Sequence, residues 1–248
     1  MKLILNGCLG RMGRAVSELA PSRDCAVVAG VDITAADGAY PVLVDWASAP
    51  AADAVIDFSN PSALAAELDY VTANKLPLVL CTTGLSAEQL AAVNEAAKVV
   101  PVFMSSNMSL GVAVLSALTK KAAAILGDTF DIEIVEMHHN QKLDAPSGTA
   151  LRLADAAKAG LSFEPEYTYD RHTRRQKRDK KEIGIAALRG GTVVGEHSVY
   201  FAGEQEVVTL SHSAGSRSVF AAGALTAAHF LQGKPAGLYS MEDIIGSI

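Results

Sequence analysis

Residues 136–151 read E-M-H-H-N-Q-K-L-D-A-P-S-G-T-A-L. Two adjacent histidines, His138 and His139, share this stretch with Lys142, Asp144 and the turn Ser147-Gly148-Thr149. An imidazole with an unperturbed pKa near ~6.5 can give or take a proton at neutral pH. Pro146 and Ser147 read as a helix start with Ser147 as its cap. The N–H groups of Gly148 and Thr149 then face outward as an anion site suited to a carboxylate, and Lys142 adds positive charge. The chemistry on offer is proton transfer to a carboxylated small molecule. Neighbouring side chains on a strand point to opposite faces, so His138 and His139 are expected to play different roles. Plain surface polarity also accounts for a histidine pair, and Asp-Ala-Pro-Ser-Gly is a good turn in its own right. Two successive histidines followed by a lysine are poor ligand spacing, so no metal is expected.

A second group of residues points to a nucleotide. The apolar run Leu3-Ile4-Leu5 reads as a buried strand and enters Gly7-Cys8-Leu9-Gly10-Arg11-Met12-Gly13, after which a helical pattern follows. Gly7 permits a tight turn, Gly10 lets the backbone approach a pyrophosphate, and Gly13 lets helix and strand pack closely. The spacing is GxxGxxG, one residue wider in its first gap than the commonest form. The next strand pattern, residues 25–31, ends in Asp32, placed to accept from ribose hydroxyls. Read separately, the glycines are a structural turn and Asp32 a turn residue; in register they favour a dinucleotide.

These residues need elements to hold them. Residues 54–58, 78–80 and 99–103 read as further strands alternating with helices, the pattern of a parallel, doubly wound sheet. Ligands of such sheets lie beyond the strands' C-terminal ends. Ser59, Thr82, Thr83, Ser106 and Asn107 fall on that rim, where each also serves as an ordinary cap. Ser86 with Gln89 predicts a capping box. Residues 110–126 form one long apolar helix. After it, residues 131–136, 183–188, 193–201 and 207–212 read as strands without intervening helices, so an antiparallel or mixed sheet is expected. The fold class is therefore α/β: a Rossmann-type N-terminal domain, residues 1–107 with a returning C-terminal helix in 217–248, and an α+β domain over 108–216. The tract 171–181 holds 7 of the 21 cationic side chains. It reads first as a solvated flexible loop and second as a flap that attracts an anion; it has no interleaved aromatics for nucleic acid.

Half of the 248 residues are apolar and 19% are charged, which excludes disorder as the main theme. A net charge of −6 gives no reason to expect nucleic acid as a partner. Cys8, Cys25 and Cys81 form no CxxC pair and read as reduced thiols. No apolar run reaches bilayer length. A cytoplasmic protein without a membrane partner is expected.

The stretch E-x-H-H-x-x-K-x-D-A-P-S-G-T closely resembles the signature of the 4-hydroxy-tetrahydrodipicolinate reductase (dihydrodipicolinate reductase) family. The resemblance runs along nearly the whole chain through G-C-L-G-R-M-G, I-D-F-S-N-P, T-T-G, S-N-M-S-L-G-V, V-V-G-E-H and A-G-S-R. It implies His138 as catalytic acid/base and Lys142 as second proton donor and substrate contact. It implies His139, Gly148 and Thr149 as substrate-binding residues. The implied cofactor contacts are Gly7, Cys8, Leu9, Gly10, Arg11, Met12, Asp32, Cys81, Thr82, Thr83, Ser105, Ser106, Asn107 and Met108. The implied reaction is NADH- or NADPH-dependent hydride transfer to the substrate ring with loss of water, in the diaminopimelate pathway to lysine, by a homotetramer assembled through the second domain's sheet. Two residues depart from the family. Ile33 follows Asp32 where NADPH users often carry Arg or Lys, and an uncharged side chain beside an aspartate favours NADH. Cys81 stands where glycine is frequent, and its thiol narrows the nicotinamide site. Another two-domain dehydrogenase of a small amino or keto acid, of the aspartate dehydrogenase type, or a non-catalytic nucleotide sensor would share the glycines but has no need of the full His-His-Lys-Ser-Gly-Thr set.

Overall fold

The computed structural model describes residues 1–246 and divides the chain into two compact units, residues 1–110 with 217–248 and residues 111–216.

In the first unit the strands β1 (Lys2–Asn6), β2 (Ala26–Val31), β3 (Val42–Leu43), β4 (Ala54–Asp57), β5 (Leu78–Leu80) and β6 (Pro101–Met104) alternate with helices α1 (Arg11–Leu19), α2 (Leu64–Asn74) and α3 (Ala87–Ala96). The chain closes with α6 (Ser218–Leu231), β12 (Gly237–Tyr239) and α7 (Met241–Gly246). The seven strands form one parallel sheet in the order β12-β6-β5-β4-β1-β2-β3. Its central strands are buried along their apolar runs, with Leu3 to Leu5 and Ala54 to Ile56 at 0% exposure. That explains why they read as unbroken apolar runs: helices cover both faces. Leu64, Leu68 and Val71 of α2 and Val93 and Ala96 of α3 pack with Ile4, Val55, Leu78 and Val102. The expected capping box forms between Ser86 and Gln89, and Asn60 caps the turn before α2 by accepting from the Ser62 N–H. The short strands β3 and β12, two and three residues long, carry no periodicity that would announce them.

In the second unit α4 (Leu110–Leu126), β7 (Asp131–His138), α5 (Gly148–Lys158), β8 (Glu166–Thr168), β9 (Glu182–Arg189), β10 (Gly195–Ala202) and β11 (Val207–Ala214) follow in order. The sheet is mixed, in the order β11-β10-β7-β9-β8, with β7, β8 and β9 parallel and β10 antiparallel to both β7 and β11. Its inner face, Ile132, Ile134, Ile183, Ile185, Val199 and Phe201, packs against Leu115 and Ala123 of α4 and Ala150, Leu153, Ala154 and Ala157 of α5. The three-residue β8 escapes the sequence pattern for the same reason as β3.

Candidate functional site

The strand β7 alternates between partly exposed and buried residues along its whole length. Its inward positions are Ile132 and Ile134, then Glu136 and His138, so the face that begins as hydrophobic core ends as a buried acid and an imidazole. Glu136 is fully buried and His138 is 8% exposed. His138 Nδ1 lies 2.6 Å from Glu136 Oε2. Arg189, at the end of β9 and opposite His138 in the register, donates from Nη1 to Glu136 Oε2 at 2.8 Å and from Nη2 to Oε1 at 2.9 Å. The Ser147 N–H donates to the same Oε1 at 3.0 Å. Burial pushes the Glu136 carboxyl up, but the Arg189, His138 and Ser147 hydrogen bonds outweigh it and hold the group below the usual carboxylate range.

Ser147 caps α5 as expected, its Oγ accepting from the Ala150 N–H at 3.2 Å. The same Oγ is 3.0 Å from His197 Nε2, and the His197 ring stands edge-on to His138 with centroids 5.1 Å apart. Burial, then the neighbouring His138 charge, lowers His197 to about 4, so it is neutral at physiological pH. Lys142 pairs with Asp144 at 2.8 Å, and Arg189 Nη2 also donates to the Asp144 carbonyl. His139 is half-buried and follows His138 directly, just past the end of β7. Gly148 is exposed, with open space where a Cβ would stand, and Thr149 is half-buried. His138, His139, Lys142, Gly148 and Thr149 thus belong to one end of the second unit's sheet.

The basic tract lies at the other end. Arg171 pairs with Glu133 and Glu182, Arg174 with Glu166 and Glu182, and Arg178 with Asp131 and Glu133. Arg178 Nη2 also donates to the carbonyls of Ile132 and Glu182. Asp131 and Glu133 begin β7 whereas His138 ends it, a separation of roughly 16–23 Å along an extended strand. Residues 171–181 form an irregular loop, mostly exposed, as the first reading has it. Three of its arginines, Arg171, Arg174 and Arg178, are nevertheless held by carboxylates of the strands and are not loosely solvated. Those carboxylates sit far away in sequence, which is why patterning did not reveal them.

In the first unit Gly7 (φ +75°) donates its N–H to the Val31 carbonyl at 2.8 Å, and a Cβ there would stand 2.5 Å from the Phe58 carbonyl oxygen. A Cβ on Gly13 would stand 2.3 Å from the Gly7 oxygen. Both positions require glycine for close approach. Gly10 is the N-cap of α1 and brings no side-chain cap, so the helix N-terminus is left to backbone N–H groups. Asp32 accepts from the Leu9 N–H at 2.9 Å and from the Ile33 N–H at 2.8 Å. Each carboxylate oxygen keeps a second lone pair. Gly7, Gly10, Asp32 and Ile33 line a cavity of about 780 Å³ with Asn6, Phe58, Ser59, Asn60, Trp46 and Tyr70. Trp46 and Tyr70 stack with centroids 4.8 Å apart. Asp32, Asp45 and Asp69 line it, and no lysine or arginine does among the described residues.

The remaining sequence-predicted residues lie outside that cavity. Cys8 is 2% exposed, its Sγ against Gly30, and burial first, then Asp32, raises its thiol to about 11, so only its backbone can meet a ligand. Leu9 and Met12 are half-buried, and Arg11 is exposed at the start of α1. Cys81, Thr82 and Thr83 follow β5, with Thr82 buried and Thr83 exposed. Burial, then the charges of Asp57 and Glu67, push the Cys81 thiol well up. Ser105, Ser106, Asn107 and Met108 follow β6; the Asn107 side chain accepts from the Ser109 N–H, and Met108 is buried against Gly223 of α6. Sequence reasoning gave no role to Glu136, Arg189, His197, Trp46 or Tyr70. Only Glu136 carried a signal, two residues before His138 on the same strand face.

Comparison with known proteins shows the family. Family models described as dihydrodipicolinate reductase, N-terminus, and dihydrodipicolinate reductase, C-terminus, match residues 1–108 and 111–245. A 4-hydroxy-tetrahydrodipicolinate reductase of Caldanaerobacter subterraneus subsp. tengcongensis is 51% identical over 99% of this chain and 98% of its own length. The reductase of Clostridium tetani is 46% identical over 100% of this chain and 98% of its own. Among solved structures, a dipicolinate-bound dihydrodipicolinate reductase from Paenisporosarcina sp. TG-14 superposes with a TM-score of 0.82 at 24% identity, covering 98% of this chain and 99% of that one. A diaminopimelate dehydrogenase from C. glutamicum shares the fold at a TM-score of 0.55 and 16% identity, covering 97% and 92%. The buried acid–imidazole pair, the capped turn beside it and the glycine-lined cavity therefore sit in a chain that belongs to the dihydrodipicolinate reductase family of NAD(P)H-dependent oxidoreductases.

Proposed function

We propose that this protein reduces 4-hydroxy-tetrahydrodipicolinate to tetrahydrodipicolinate, a step of diaminopimelate and lysine biosynthesis, with His138 as the acid. The observation that carries this reading is the His138–Glu136 pair beside the Ser147-capped turn, inside the family motif. The reduced nicotinamide supplies a hydride that takes the place of the ring hydroxyl. The hydroxyl leaves with one proton as water, so that step needs an acid. Glu136 can only accept at Nδ1, so His138 Nδ1 carries a hydrogen and Nε2 is the atom that delivers the proton. Lys142 exchanges Asp144 for a substrate carboxylate and serves as the second donor. His139, Gly148 and Thr149 bind the rest of the dicarboxylate, the last two through backbone N–H groups at the start of α5. Dipicolinate, the ligand of the Paenisporosarcina reductase, is the matching inert probe.

The first unit is the dinucleotide domain in this reading, and the second unit the substrate and assembly domain of a cytoplasmic homotetramer. Gly7 to Met12, Asp32, Cys81 to Thr83 and Ser105 to Met108 form the cofactor contacts. Three carboxylates and no cation line the cavity at Asp32 and Ile33, so a 2′-phosphate meets repulsion there and NADH is preferred over NADPH. The thiol of Cys81, kept protonated by its surroundings, acts by its bulk.

The loss of A340 with enzymatically generated substrate tests this. Wild type consumes NADH, and His138→Gln lowers kcat by ~10²–10⁴-fold. No NADH or NADPH oxidation by wild type sinks the assignment. Undiminished turnover by the variant sinks only the role of His138. A kcat/KM for NADPH equal to or above that for NADH sinks the preference. A monomer in sedimentation velocity removes the tetramer.

A further inference from the structure

The carboxylate of Glu136 receives hydrogen bonds at all four of its lone-pair positions. Oε2 faces His138 Nδ1 at 2.6 Å and Arg189 Nη1 at 2.8 Å. Oε1 faces Arg189 Nη2 at 2.9 Å and the Ser147 N–H at 3.0 Å. A carboxylate with four filled sites has no capacity left for a substrate group. It is also fully buried. Glu136 therefore acts on the reaction only through the groups it holds. Those groups come from three segments: its own strand, β9, and the loop before α5, whose Ser147 also caps that helix.

We infer that Glu136 is a positioning residue shared by both halves of the site, one oxygen fixing the His138 imidazole and the other anchoring the Ser147 turn that receives substrate carboxylate, with Arg189 locking it in place. The inference rests on His138 as the proton carrier and deepens that reading. An acceptor-only group at Nδ1 selects one tautomer and one ring orientation, leaving Nε2 as the working atom. Space is kept open at that atom: a Cβ on Gly195, the first residue of β10, would stand 3.0 Å from His138 Nε2. The bidentate fork of Arg189 holds the carboxylate plane so that its two outer lone pairs aim at His138 and Ser147 together. An anchored Ser147 N–H sets where α5 begins, and so where the Gly148 and Thr149 N–H groups stand. The same Arg189 holds the Asp144 carbonyl at 2.6 Å, which ties the loop bearing Lys142 into the cluster. Proton donor, anion turn and lysine loop thus share one buried anchor.

The two tasks come apart in two substitutions. Glu136→Gln keeps an oxygen for Ser147 but presents an amide to Nδ1. Glu136→Ala removes both partners. The holoenzyme, labelled with 15N-histidine, reports the tautomer of His138 by NMR, assigned by its absence in His138→Gln. Turnover is followed at 340 nm, and dipicolinate affinity by calorimetry. Wild type should show hydrogen on Nδ1. Glu136→Gln should move hydrogen towards Nε2 and lower kcat by at least ~10²-fold, as when a catalytic histidine is held in its wrong tautomer, with the dipicolinate Kd within ~3-fold of wild type. Glu136→Ala should add a rise in dipicolinate Kd of ~10-fold. Glu136→Asp, a carboxylate on a shorter arm, should keep hydrogen on Nδ1 and turn over faster than Glu136→Gln. A wild-type tautomer and wild-type kcat in Glu136→Gln overturn the inference, as does wild-type dipicolinate affinity in Glu136→Ala. Full activity of His138→Gln would instead overturn the proton-carrier reading, which the tautomer measurement on Glu136 does not depend on.

Discussion

The two ends of this protein's chemistry are built from different materials. At the glycine turn of the first unit the surface open to a ligand is mainly backbone. Gly7 and Gly13 are there because a Cβ would meet main-chain atoms at 2.5 and 2.3 Å, and Gly10 caps α1 without a side chain. At the end of β7 the working surface is side chain, with Glu136, His138, Arg189, Ser147 and His197 joined by hydrogen bonds over 61 residues of sequence. A backbone site tolerates changes in neighbouring side chains but not an added methyl. A side-chain site has the opposite sensitivity: a change that preserves volume and alters one proton is enough to disable it.

That contrast sets out where each end breaks. The largest expected effect is at the backbone end. Gly7→Ala places a side chain at φ +75° and drives it into Phe58 and Ser59 main chain. The left-handed conformation alone costs about 1–2 kcal/mol, and the enforced shift of the turn is expected to weaken NADH binding by more than ~10-fold. Trp46, the sole tryptophan, lines the same cavity, so quenching of its fluorescence during NADH titration reads the loss directly. Unchanged NADH affinity in Gly7→Ala would erase the distinction between the two ends.

The side-chain end is expected to reveal itself through pH. His197 is neutral in the fold down to about 4, whereas the unfolded chain takes up a proton near its ordinary 6.5. Between those values the unfolded state binds more protons, so stability falls as pH drops from about 6.5 and levels off below about 4, a loss of at most ~3 kcal/mol. In His197→Gln, whose amide can still meet Ser147 Oγ, urea denaturation should show a smaller loss across that window. An unaltered pH dependence would show that His197 contributes nothing to it.

A smaller effect belongs to Ile33, 89% exposed on the cavity's rim. Ile33→Arg supplies the missing cation and should raise the kcat/KM ratio of NADPH to NADH by ~10-fold, in line with a charge-assisted contact to phosphate. A fixed ratio would show that the charge at residue 33 does not discriminate between the two cofactors.

The smallest concerns Glu67, buried on α2, its Oε1 accepting from Asn6 at 3.1 Å. Burial, then the charge of Asp57, raises its carboxyl well above the usual range. The folded state therefore retains a proton that the unfolded chain releases near 4.5, and stability is lost as pH rises above that value. Glu67→Gln removes this dependence. Its Tm relative to wild type should climb by a few degrees from pH 5 to pH 8, and a constant difference would show that the group is ionised in the fold.

Much of this was legible in the chain itself, for identifiable reasons. The central strands of the first sheet announced themselves because both faces are covered and their inner runs, Leu3 to Leu5, Ala54 to Ile56 and Leu78 to Leu80, are apolar throughout. The caps at Ser86 and Ser147 were readable because capping is local, within three residues. His138 and Lys142 stood out because their types and spacing are chemical. The strands β3, β8 and β12 stayed hidden because two or three residues hold no period. The basic tract was legible as a loop but its ion pairs were not, because the acids that hold Arg171, Arg174 and Arg178 lie at or near the starts of β7, β8 and β9, outside the tract in sequence.

Local composition and spacing determined which residues could do chemistry here, since a proton donor, a lysine and a capped turn lie within sixteen positions. The tertiary structure alone decided how they are held. Parallel pairing of β7 with β9 puts Arg189 opposite His138 across 51 residues of chain, and antiparallel pairing puts His197 opposite Glu136. A buried carboxylate is tolerable only when such partners surround it. Strand register, which no single stretch encodes, is what supplies them.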